Sequence, residues 1–96
     1  GQVEAYKAYE KAMEFFDAKN WKIAIEELTK VMEKFPGTDV VYGCKANIAS
    51  AYAQLGERRR ALQLFDEIIE QWKDIETARP AVFFAELHKR WIEAGR

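Results

Sequence analysis

Cys44 is the only thiol in the chain and His88 the only imidazole. Together they are the one pair that could support nucleophilic catalysis, which requires the imidazole within hydrogen-bond reach of the thiol to take its proton. The two fall in different helical stretches, which argues against a shared site. The carboxylates are spread along helical surfaces in the manner of i,i+4 charge pairing, Glu26 with Lys30 for example. No glycine-rich phosphate loop and no ligand cluster with metal-binding spacing is present. Arg58, Arg59 and Arg60 form the only like-charge run. At a helix N-terminus they oppose the helix dipole, so they mark either a solvated convex face or a seat for an acidic partner or anionic surface. These residues predict no enzyme, no cofactor and no metal; the remaining chemistry is that of surfaces.

Composition narrows the partner. The 96 residues suit one domain, with 49% apolar residues, enough to fold, and 32% charged residues. Fifteen Lys and Arg nearly balance 16 Asp and Glu, whereas phosphate recognition needs a basic excess or a basic face; nucleic acid is therefore not predicted as a partner. A single cysteine cannot form an internal disulfide, so packing must supply the stability. No apolar run reaches the roughly 20 residues that cross a bilayer, so membrane insertion is not predicted. Gly1 stands where a methionine would open a chain and reads as a remnant of cloning, with any targeting segment removed. The compartment stays open between the cytoplasm and a bacterial periplasm.

Periodicity and punctuation divide the chain into five helical stretches. The first runs from about Val3 to Ala18, with Ala5, Ala8, Ala12 and Phe15 on one face. After the turn at Lys19-Asn20, a second runs from Trp21 to about Lys34, facing Ala24, Leu28, Val31, Met32 and Phe35 inward. Pro36-Gly37 ends it. Thr38 or Asp39 is the predicted N-cap of a third stretch, about Val40 to Leu55, which carries Val41, Ile48, Ala49 and Tyr52. Gly56 closes that helix in the left-handed conformation. The fourth, from Glu57 to about Lys73, carries Ala61, Leu62, Phe65, Ile68, Ile69 and Trp72, and the fifth spans about Glu76 to Ala94. No segment shows the two-residue alternation of a half-buried strand. The predicted class is all-α.

The stretches repeat. Ala24, Leu28 and Pro36 recur in kind as Ala61, Phe65 and Lys73, a period of 37 residues from position 24 to 61. With its preceding helix, each copy resembles a tetratricopeptide repeat, a helix–turn–helix of about 34 residues patterned W-x2-L-G-x2-Y…A-x3-F…P. Ala8, Lys11, Ala12 and Phe15 stand at the first four places of one unit, and Lys45, Ile48, Ala49 and Tyr52 at those of the next. Phe84, Leu87, His88 and Trp91 fill them in a third, half unit. The small-residue places are kept, while the tryptophan and one proline are replaced. The resemblance implies an antiparallel helical solenoid in a single domain, 1–96. Repeat 1 covers about 3–36, repeat 2 about 39–73, and a terminal helix about 76–94. The longer period and the Phe-Pro-Gly linker are similar to repeats of bacterial envelope proteins, including Tol-system and outer-membrane assembly helpers.

In that family the first helix of each pair lines a concave groove that holds a partner. Transferred to this chain, the groove comprises Tyr6, Tyr9, Met13 and Phe16, then Gly43, Ala46, Asn47, Ser50 and Ala53, then Val82, Ala85, Glu86, Lys89 and Ile92. Such an aromatic groove suits a peptide or amphipathic helix of a partner protein, or is filled by the protein's own side chains or another copy. Family members that hold a chaperone's C-terminal carboxylate use places occupied here by Tyr9, Met13, Asn47, Val82 and Glu86. Only Asn47 matches, so that ligand is not implied. The fifth helix adds a second surface, since Phe83, Phe84, Leu87 and Trp91 cover one side while Glu86, Lys89, Arg90 and Glu93 are confined to the other. Solenoid ends need a polar outer face, so a further helix, a partner or a homodimer through these four residues is expected to cover it. The sequence thus predicts a protein-interaction scaffold, with a self-associating structural module as the alternative.

Overall fold

Two turns built alike organise the chain, and each stands where a helix would otherwise run on. In a computed structural model, which describes residues 1–95, α1 (Gln2–Asp17) ends where Lys19 takes a left-handed backbone, φ 62°. The amides of Lys19 and Asn20 then donate to the carbonyls of Phe16 and Phe15, each at 2.9 Å. At the equivalent place after α3 (Val40–Gln54), Gly56 has φ 81°, and the amides of Gly56 and Glu57 donate to Ala53 and Tyr52 at 3.0 and 2.9 Å. Both are the paired-bond closure that satisfies the last carbonyls of a helix. Gly95 after α5 takes the same hand, φ 80°. Glycine accepts this conformation freely; lysine does so at a cost.

The remaining helices are α2 (Trp21–Lys34), α4 (Arg58–Trp72) and α5 (Arg79–Glu93). One of the two predicted N-cap residues of α3 is in place, and two further local expectations are corrected. Asp39 occupies the N-cap of α3 without a side-chain bond, and Thr38 instead donates its hydroxyl back to the Phe35 carbonyl at 2.8 Å, closing the preceding turn. The fifth stretch is not one helix from residue 76. A 3-10 turn, Glu76–Ala78, precedes α5, because Pro80 has no amide to donate to residue 76 and fits only the first turn of a helix. The predicted Glu26–Lys30 pair is also replaced, by Lys30 with Glu27 at 3.2 Å.

The result is a compact bundle of five helices, with no strand among the described residues. Each helix packs on its neighbours in sequence, and α1, α3 and α5 also touch one another in order. The bundle is a slab, 39 × 32 × 16 Å, with α1, α3 and α5 along one side. Ala12, Ala24, Ala49 and Ala61 are all buried at the helix contacts. Leu28 and Phe65, four residues after Ala24 and Ala61, are wholly buried; truncating a side chain of that size to alanine typically costs about 2–5 kcal/mol. No helix of the described residues is long and apolar enough to cross a membrane.

The paired turns set opposite outcomes for two substitutions. Lys19→Gly is expected to raise stability by up to about 1 kcal/mol, and Gly56→Ala to lower it by about 1–2 kcal/mol. Urea unfolding followed by circular dichroism measures both.

Candidate functional site

The side formed by α1, α3 and α5 carries most of the residues predicted to face a partner, but several are engaged within the chain. Tyr9 lies across Gly43, where a Cβ would sit 3.0 Å from Tyr9 Oη and 3.3 Å from its Cζ. Asn47 Nδ2 donates to Tyr9 Oη at 2.9 Å and to the Gly43 carbonyl at 2.9 Å. Burial, the largest influence, pushes the Tyr9 phenol up from its ordinary value. Phe16 packs edge-on against Trp21, centroids 5.0 Å apart. Met13 packs on the core and Ser50 is buried. Of the α1 set only Tyr6 is well exposed, at 49%.

Between the three helices lies an open hollow of about 360 Å³. Tyr6, Tyr42, Gly43, Ala46 and Asn47 line it from α1 and α3, and Thr77, Pro80, Ala81 and Phe84 from the segment that ends in α5. The α5 contribution differs from the predicted one. Ala81, Val82, Ala85 and Ile92 are buried, so Val82, Ala85 and Ile92 serve the core rather than a groove. Lys89 turns toward α4, its Nζ 2.7 Å from Asp66 Oδ1. The reason is rotational: seating Ala85 and Ile92 in the core turns Phe84, not Lys89, into the hollow.

Phe84 also begins an aromatic series that leaves the core. Its ring is 6.2 Å from buried Phe65 and stacks on His88 at 3.9 Å, and His88 lies 5.0 Å from Trp91. Beside the series, Phe83 is 64% and Trp91 43% exposed, with Leu87 partly buried. The predicted self-association residues Phe83, Phe84, Leu87 and Trp91 and the observed hollow therefore adjoin, sharing Phe84.

The arginine run has a partner inside the fold. Arg58 donates through Nε and Nη2 to the Ile92 carbonyl at 3.3 and 3.1 Å, beside the bond that carbonyl accepts from the Gly95 amide, at a helix end where a cation is favoured. Arg60 lies 5.6 Å over the Tyr52 ring. Sequence alone placed Arg58 at the start of its own helix and could not show which helix end would lie opposite.

Cys44 and His88 lie in different helices, α3 and α5. Cys44 is fully enclosed and its thiol is pushed up to about 12 by burial, while burial lowers His88, held among aromatic rings. Among the described residues no cluster of three His, Cys, Asp or Glu could hold a metal.

Two outcomes follow from this packing. Gly43→Ala gains helix propensity but meets Tyr9 Oη, so its effect should be more favourable in a Tyr9→Phe background than in the parent, by about 1 kcal/mol; a double-mutant cycle of unfolding free energies reads the difference. Because the folded Cys44 thiol has the higher pKa, its contribution to stability is whole below the unfolded value of 9.0 and declines as pH rises from there toward about 12. A Cys44→Ala protein should lose that part of the alkaline decline, and a thiol reagent at neutral pH should label the parent only at the rate of opening.

Comparison of the chain with models of protein families, with curated proteins and with solved structures finds no match.

Proposed function

We propose that this chain is a protein-interaction module of tetratricopeptide type, which takes an amphipathic helix of a partner on the surface formed by α5 and the adjoining hollow. The observation that carries this reading is the exposure of Phe83 and Trp91 on a helix whose opposite side is firmly buried. An apolar patch of that kind beside an open hollow is the usual mark of an interaction site, and tryptophan is among the residues that anchor interfaces. Supporting the repeat reading are the matched turns at Lys19 and Gly56 and the order in which the helices pack. Tyr9 fills part of the predicted groove over Gly43 and Asn47, which favours docking on the α5 side of the hollow over its α1 side.

The same filling favours a second reading, in which two copies cover each other's α5 face in an isologous dimer. Sedimentation equilibrium separates the two, together with selection of displayed helical peptides on the parent chain and counter-selection on Phe83→Glu/Trp91→Glu. For a partner-binding module the free protein is a monomer, and selected peptides lose at least about tenfold in affinity for the double variant. Its helicity should be unchanged, since both side chains are exposed. A dimer that the double variant dissociates establishes the second reading instead. Peptides that bind parent and variant equally rule out the α5 surface.

A further inference from the structure

A second hollow, of about 300 Å³, lies at the opposite end of the bundle between α1 and α2. Ala8, Ala12, Phe15, Val31 and Phe35 supply its apolar lining, and Lys11, Lys30, Lys34 and Glu27 its charged rim. The same place in the following unit, 37 residues on, is filled. There Lys45 lays its ammonium 3.1 Å from Glu67 Oε1 and 3.2 Å from Gln71 Oε1, and 5.4 Å over the Trp72 ring. The counterparts of those four residues are Ala8, Lys30, Lys34 and Phe35, all of which line the hollow. The Lys45 side chain has no counterpart at Ala8; the Lys34 ammonium lies 5.5 Å over the Phe35 ring instead, and the places of Glu67 and Gln71 carry lysines.

We infer that this hollow is a docking site for an acidic amphipathic helix of a partner protein, one of whose carboxylates lies between Lys30 and Lys34. Charge complementarity selects the sign: three lysines face one glutamate around the rim. The Lys30–Glu27 pair does not close the site, because Lys30 is 72% exposed and such surface pairs are weak and readily exchanged. Ala8 and Ala12, one turn apart, let a third helix approach closely, while Phe15, Val31 and Phe35 offer contacts for its apolar stripe. The rim also excludes a uniformly apolar occupant. Ile48 and Leu64, buried in the second unit, are replaced here by Lys11 and Glu27, so the arriving helix must present charge along its margins.

The probe is a labelled synthetic helix of about five turns with a leucine stripe flanked by glutamates, and its control carries lysine at every glutamate. Fluorescence anisotropy with the full chain is expected to show binding of the acidic peptide, weakening with added salt, and no comparable binding of the basic one. Lys30→Glu/Lys34→Glu should reduce affinity at least about tenfold. Ala8→Lys with Lys30→Glu and Lys34→Gln recreates the Lys45 cluster and closes the hollow, so it should keep the parent's circular dichroism and also lose binding. Phe83→Glu/Trp91→Glu should bind as the parent does, which separates this site from the α5 surface. Any of four results would overturn the proposal. These are no binding of the acidic peptide, equal binding of both peptides, lysine variants that bind like the parent, or a dimer of the free protein that Lys30→Glu/Lys34→Glu dissociates. The last would assign the hollow to a second copy.

Discussion

Close approach of neighbouring helices is the condition on which the rest of this structure depends, and it rests on alanines buried where helices meet. With Ala12, Ala24, Ala49 and Ala61 all nearly or wholly inaccessible, the backbones come near enough for one large residue per unit, Leu28 or Phe65, to complete the contact. Larger groups at these places would force the helices apart and strain a close-packed interior. The helices pack on their neighbours in sequence around one core, and the bundle is 16 Å thick.

The two ends are finished differently. At the α1/α2 end charged residues replace the apolar ones that the second unit buries, Lys11 for Ile48 and Glu27 for Leu64. At the α5 end Phe83 and Trp91 remain in solvent. Between them the side lined by α1, α3 and α5 is partly sealed by the chain itself. Gly43 is central to that seal: without a side chain it admits the Tyr9 ring, and Asn47 then satisfies the phenol. An open hollow lined by Gly43, Ala46 and Asn47 remains beside that seal.

Electrostatic details follow the same geometry. Arg58 opposes the dipole of α4, where the sequence places it, but it is held by the Ile92 carbonyl at the C-terminal end of α5, where a positive charge is favoured. Lys45 and Lys89 likewise bind across helices, to Glu67 and Asp66, so lysines that sequence alone leaves undifferentiated divide into those that tie the bundle and those on its open rim.

How much of this was legible before the fold was known depends on the range of the interactions involved. Helix identity, the break at Pro36-Gly37 and the left-handed closure at Gly56 were determined by the sequence itself, because period, proline and glycine act on the nearest few residues. The pairing of small with large residues was legible for the same reason, through its repetition at 37 residues. The left-handed turn at Lys19 was legible only as a turn, since nothing local to a lysine signals that conformation; its correspondence with Gly56 does. Tertiary structure alone decided the rotation of α5. Equivalent spacing put Lys89 toward a groove and Phe84 on a separate self-association face, but burying Ala81, Val82, Ala85 and Ile92 turned Phe84 into the hollow and Lys89 onto Asp66. A helix carrying apolar residues over so wide an arc has no single inward face by pattern, and only the helices packed against it can select one.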